Sequence, residues 1–252
     1  VNSILNQWLS HDYTVNNAVE VFRLALSKIN IGQLPITALM EKCPIKAVNI
    51  ILGSDQTLIK DTIEELHWRS LRNLPMSSFM PLFERYPGIV EKYEFRLFRP
   101  KQRLLVYQKY REGWRNTDGT LDDDIVERLP TQERIAEARR NVKLRTFETK
   151  PAEKIGYIAL LPWDEAVELQ TPFIRSGDAQ IRSSAILIQI QAAKYDESHI
   201  EDALKFVLAR KNEQDPFKTR MLEDLCEIPP GRWKESHLEI IDEIISSFLN
   251  ST

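Results

Sequence analysis

The 252 residues carry 34 Lys and Arg against 37 Asp and Glu, a formal net charge of −3 that gives no global attraction to nucleic acid or to an anionic membrane. Hydrophobic residues make up 42% and charged residues 28%, as in ordinary folded domains, and no apolar run is long enough for a transmembrane helix. Only 8 glycines stand against 13 prolines, which argues against a doubly wound nucleotide-binding fold or a hairpin-rich β fold and for helices that stop and restart at proline.

Along the chain the dominant period is helical. The first residues have neither a basic region nor a signal-peptide core, and with no initiator Met they suggest a piece of a longer chain. Residues 15–30 set Val15, Val19, Phe22, Leu26 and Ile29 on one stripe. Pro35 suits the first turn of a helix with Ile36, Leu39 and Met40 that ends before Pro44. Helices follow over 45–52 and 58–74, with Gly53, Ser54 and Asp55 as the turn between them and Pro75 as the stop. Residues 77–85 and 89–97 read as short helices split by Pro87-Gly88, and 102–114 as an amphipathic helix. Asn116 to Thr120 is the clearest loop, with turn formers at every place. Asp122, Asp123 and Asp124 put negative charge where the next helix begins. Thr131 is a plausible N-cap for a long helix over 132–148.

The last third is the most repetitive. A helix over 152–161 breaks at Pro162-Trp163-Asp164. Residues 164–174 then pair with 179–193, and 200–209 with 216–226, before Pro229-Pro230-Gly231 and a final helix over 236–249. No alternating β pattern exceeds about four residues, so the fold class is all-α. The segments Ser176 to Arg182 and Glu213 to Arg220 share one design, an Asp at a turn and an Arg four or five residues later. From Arg182 to Arg220 the step is 38 residues, typical of stacked helical hairpins.

On these residues the segment from Leu169 to Pro230 resembles HEAT repeats, the armadillo-like α-solenoids. The resemblance implies that Asp178 and Asp215 cap second helices and that Arg182 and Arg220 join neighbouring repeats, four structural joints in all, with Ile181 and Ala185 as the packing pair. Lys60 stands where the Arg would follow Asp55. Wider strings resemble large bacterial HEAT-repeat proteins: Gly113-Trp114-Arg115 with Asp118-Gly119, Glu137 to Arg140, Leu161 to Ala166, and Asn212 to Pro216. The expected architecture is a single right-handed HEAT-like α-α superhelix over 1–252, of about five or six helix pairs. Residues 1–100 would be degenerate N-terminal repeats, 101–150 irregular middle helices, and 151–252 the clearest repeats.

Few residues point to chemistry. Arg139, Arg140 and Lys143 can share one sector of a helix that also holds Arg134 and Arg145, a candidate face for an anionic partner. The carboxylates of Asp122 to Asp124 and Glu127 lie close enough in sequence to neutralise it. Trp163-Asp164-Glu165 invites comparison with DNA base-excision glycosylases built on HEAT repeats, which use a carboxylate and aromatics in a basic groove. An Asp164 N-cap with Trp163 as a hydrophobic staple explains the same residues more simply. His11, His67, His199 and His237 have no metal-ligand spacing, and no phosphate loop or nucleophile motif occurs, so no metal, cofactor or catalytic residue is expected. Cys43 and Cys226 read as buried free thiols in a reducing compartment, the cytoplasm, with a disulfide as the minor alternative.

The expected function is a non-catalytic scaffold or interaction module that binds a protein or peptide on a helical-repeat surface, with no membrane association. The alternative is a nucleic-acid-binding HEAT protein, including a base-excision glycosylase. That reading requires Arg139, Arg140 and Lys143 to be free of carboxylate bridges, with Arg182 or Arg220 nearby.

Overall fold

A computed structural model describes residues 2–11, 15–26, 28–29, 33–53, 68–86 and 95–249. Among them the regular elements are fifteen α-helices and a few 3-10 turns, with no strand, so the chain is all-α. No helix of the described residues is long and apolar enough to cross a membrane. The chain divides into two compact units, Val1–Gln108 and Lys109–Thr252.

In the first unit, proline and apolar spacing set the helices. They are α1 (Asn2–Leu9), α2 (Val15–Leu26), α3 (Ile36–Lys42), α4 (Pro44–Gly53), α5 (Trp68–Arg72) and α6 (Met76–Arg85). Pro35 and Pro75 occupy the positions just before α3 and α6, where their fixed φ costs no helical hydrogen bond. Val19 and Phe22 of the predicted stripe are buried, but α2 stops at Leu26, and the N–H groups of Lys28 and Ile29 close a turn on the Ala25 carbonyl. α1 packs on α2 and α3, and α4 on α2, α3 and α6. The core holds Leu5, Phe22, Leu39, Ile51 and Phe79, with Phe79 stacked on Phe83 at 5.8 Å. Most of the predicted helices over 58–74 and 89–97, with Asp55 and Lys60, lie outside the described residues. What is described there is α5 and a 3-10 turn at Phe95–Leu97.

The second unit takes up the end of α7 (Pro100–Trp114) and then runs α8 (Asp123–Glu127), α9 (Thr131–Asn141), α10 (Pro151–Ile158) and α11 (Trp163–Ile174). It continues with α12 (Ala179–Ala193), α13 (Ile200–Leu208), α14 (Asp215–Cys226) and α15 (Leu238–Leu249). α12 is its centre. Its apolar residues lie all round the helix, and Ala185, Ile186, Leu187, Ile188, Ile190, Ala192 and Ala193 are all buried, the pattern of a helix enclosed by others. α10, α11, α13 and α14 pack on it. α11 and α12 form the expected hairpin. The predicted partners α13 and α14 are packed chiefly elsewhere, α13 on α12 and α15, α14 on α12.

Two predicted boundaries need correction. The helix expected over 132–148 ends at Asn141, and residues 145–148 form a 3-10 turn. In an unbroken helix, nine steps of about 100° would set Phe147 opposite the buried Ala138. The break instead turns Phe147 inward against the Tyr157 ring at 5.4 Å. Thr131 is not the cap: Pro130 holds that position without a side-chain cap bond, and Thr131 is the first, exposed residue of α9. Cys43 and Cys226 are both free, but only Cys43 is half-buried, with burial pushing its thiol up against the pull of Lys46. Cys226 is exposed, contrary to expectation.

Candidate functional site

α9 sorts its charges by helical spacing. Arg134, Glu137, Ala138 and Asn141 fall three or four residues apart and form its buried face. Arg139 lies on the outer side, where its guanidinium grips both oxygens of Glu165 in the first turn of α11, Nε to Oε2 at 2.9 Å and Nη2 to Oε1. That fork, and next the nearby charges of Arg139 and Lys143, hold the Glu165 carboxyl below the usual range. Arg140 turns the other way and donates to the Gly119 carbonyl at 2.8 Å. Lys143 is exposed. The three predicted cations therefore do not converge: Arg139 and Lys143 lie around a carboxylate, and Arg140 ties down a loop.

The two Asp-to-Arg segments fold differently. Asp178 is the N-cap of α12, its Oδ1 accepting from the N–H groups of Gln180 at 2.8 Å and Ile181 at 3.1 Å. Arg182 donates to the Ser176 carbonyl at 2.8 Å and so closes the same turn. In the second segment the helix begins one residue earlier. The Gln214 carbonyl already takes the N–H groups of Phe217 and Lys218, so Asp215 is the first residue of α14 and its Oδ1 meets Lys218 Nζ at 2.7 Å. Arg220 is exposed, and its charge acts on Asp224.

The Asp164 cap does not form either. Pro162 holds the cap position of α11, and Trp163, its first residue, is buried flat against the His199 ring at 4.9 Å. His199 Nδ1 lies 3.0 Å from Asp202 Oδ2, and buried His237 accepts the Lys234 N–H through Nδ1 at 3.2 Å. Among the described residues no group of three or more His, Cys, Asp or Glu is placed to hold a metal ion.

Packing instead assembles a cleft of about 290 Å³ among α8, α10, α12 and α14. Asp123, Asp124, Glu127, Asp224 and Glu227 line it, with Lys194 as its one cation. Gly156 of α10 lets the Asp123 carboxylate come close, since a Cβ there would lie 3.0 Å from Oδ2. Glu127 Oε1 accepts from the Tyr195 hydroxyl at 2.8 Å and from Lys194 Nζ at 3.0 Å. Beneath it the Arg134 guanidinium stacks 3.8 Å over the Tyr195 ring and donates to the Leu160 carbonyl at 2.5 Å. Arg232 donates to the Lys194 carbonyl. Gln191 Nε2 donates to Asp224 Oδ2 at 2.9 Å. Sequence reasoning missed this cluster because Glu127 and Tyr195 lie 68 residues apart, a pairing with no local signal.

Burial alone would raise the Glu127 carboxyl, but the Tyr195 hydroxyl and the Lys194 ammonium outweigh it and hold it low. The Tyr195 phenol is pushed well above its ordinary range, first by burial and then by the Glu127 charge, so it stays a donor. Asp224 is raised by burial, against the Gln191 hydrogen bond. A carboxyl lowered on folding adds stability above its unfolded value and loses it as the pH falls through its folded value. The expected result is a melting temperature that drops as the pH falls below about 4, and less steeply in Glu127→Gln, measured by circular dichroism across pH. An unchanged acid limb in the variant would show that this carboxylate is not linked to folding.

Chemically, five carboxylates around one lysine attract cations and repel phosphate. Against known proteins, the chain matches no family model, no curated protein and no solved structure.

Proposed function

We propose that this chain is a non-catalytic interaction module whose helical-repeat surface binds a basic protein or peptide. The observation that carries the reading is the sign of the cleft: its carboxylates outnumber its single lysine, and burial has raised one of them, Asp224, which a partner's cation would relieve. We take the second unit as a right-handed HEAT-like α-α solenoid. In support, alternate helices touch, α12 packing on α10 and α14, and α13 on α15, as stacked hairpins do. Such stacks present long exposed ridges and little enclosed volume, a geometry for partners more than for chemistry. Two free thiols are in keeping with a reducing compartment such as the cytoplasm.

Weighing against a nucleic-acid or base-excision role, Glu165 engages Arg139 and the Gly119 carbonyl engages Arg140. Fluorescence anisotropy with a labelled, unstructured Lys/Arg-rich peptide and with duplex DNA, at about 0.15 M salt, tests the reading. The peptide is expected to bind and to lose affinity in Asp224→Asn/Glu227→Gln, while the DNA does not bind. Tight, salt-sensitive DNA binding that Arg139→Ala/Lys143→Ala abolishes would overturn it.

A further inference from the structure

On the other side of α14 from the acidic cleft, α14 and α15 enclose an apolar groove of about 400 Å³, lined by Leu222, Cys226, Trp233, Ile241 and Ile245 among others. α15 has two apolar faces. Ile244 and Phe248 are buried inward, whereas Leu238 is 60% exposed, Ile245 44% and Leu249 71%, with Ile241 half-exposed between them. These four follow one another at steps of three, four and four residues, so they form one continuous stripe. Single exposed leucines need no explanation, but an aligned row opening into a groove does. From Leu238 to Leu249 the stripe is about 16 Å long, the length of three helical turns.

Beside the stripe the exposed charges of the two helices are acidic, while Lys218 is buried against Asp215 and the Phe248 ring and Lys234 follows Trp233 of the lining. By helical geometry Asp242 borders the stripe on α15 and Glu223 borders Leu222 on α14, and both are exposed. Every charged residue of α15, Glu239, Asp242 and Glu243, is acidic. A second copy of this chain seated on the groove would set like charges against each other. A helix with an apolar stripe flanked by cations would bury the first and pair the second.

Resting on the interaction-module reading above, we infer that this groove docks an amphipathic helix of another protein, about three turns long, with Leu, Ile or Phe along one face and Lys or Arg beside it. Cys226 makes the groove testable, because its exposed free thiol lies in the lining. In the full chain carrying Cys43→Ala, the rate of maleimide labelling at Cys226 is measured with and without a synthetic Leu/Lys amphipathic peptide.

At ten times its Kd the peptide is expected to slow labelling about tenfold, the occupancy expected of one site. A scrambled peptide of the same composition, and the stripe with Glu in place of Lys, should give no protection. Ile245→Asp and Asp242→Lys should each lose the protection while keeping the circular dichroism spectrum. If the unstructured basic peptide of the previous section binds but the amphipathic one neither binds nor protects, the groove inference falls and the interaction module stands. If neither peptide binds, both fall. Protection that grows with protein concentration in the absence of peptide, alongside a dimer in sedimentation, would make the occupant a second copy and overturn the inference. Equal protection by the scrambled peptide would do the same.

Discussion

Replacing Glu137 by alanine lowers the unfolding free energy of the full chain by about 3–5 kcal/mol, the cost of leaving a buried charge without its partner. Arg115, just past α7, and Glu137 on α9 meet in a bidentate fork at 2.8 and 2.9 Å, with side chains only 10% and 6% exposed. The Arg115 guanidinium is held firmly protonated, first by its hydrogen bond to Glu137 and against the effect of burial. Glu112 also reaches Arg115 at 3.2 Å, but at 73% exposure it sits in water and cannot replace the lost partner. The double variant Arg115→Met/Glu137→Leu should regain most of the loss, because it removes both charges and refills the space. Urea titrations followed by tryptophan fluorescence measure all three proteins. A Glu137→Ala variant as stable as the parent would mean that the pair is solvated.

The second large effect lies in α12. Ile188→Ala is expected to cost about 2–5 kcal/mol, the lost transfer energy plus the cavity left behind. Ile188 is fully buried on the helix that α10, α11, α13 and α14 all contact, so no exposed flank can relax into the space. Amide exchange should mirror this, with α12 slowest in the second unit of the parent and faster in the variant. If α12 exchanges as fast as α15, whose outer face is exposed, it is not the centre of a cooperative unit.

How much was legible follows the range of each interaction. The boundaries at Pro35, Pro75 and Pro162 were readable because proline acts on its own φ and its own missing N–H. But Pro35 stands one place before the helix it was expected to enter, Pro75 and Pro162, read as stops, each stand just before the next helix, and Pro130 takes the cap place given to Thr131. The Asp178 cap was readable for the same local reason. The similar segment at Asp215 misled, because the Gln214 carbonyl takes the donors first, a difference of one residue that no motif expresses. The break after Asn141 is set by where Phe147 must pack, and the acidic cleft by four helices meeting. Neither is encoded within one helix period. The basic face of α9 looked open in sequence because Glu165, 26 residues from Arg139, and the Gly119 carbonyl are brought to it only by the fold.

The loop at Asn116 to Thr120 has every outward sign of a tolerant site, yet its bonding says otherwise. Gly119 sits at φ 83°, a left-handed conformation that suits glycine, and its carbonyl is held by Arg140. Asp118 Oδ1 binds both the N–H and the hydroxyl of Thr120. Just beyond, the Leu121 N–H reaches Asn141 Oδ1 and its carbonyl takes the Tyr157 hydroxyl. Gly119 and Leu121 thus peg the spacing of α9 and α10. Over evolution, or at the bench, this hairpin-like corner should resist insertions and epitope tags. The connection through Lys211 and Asn212, exposed and bound mainly through its own backbone, is where added length should be accepted.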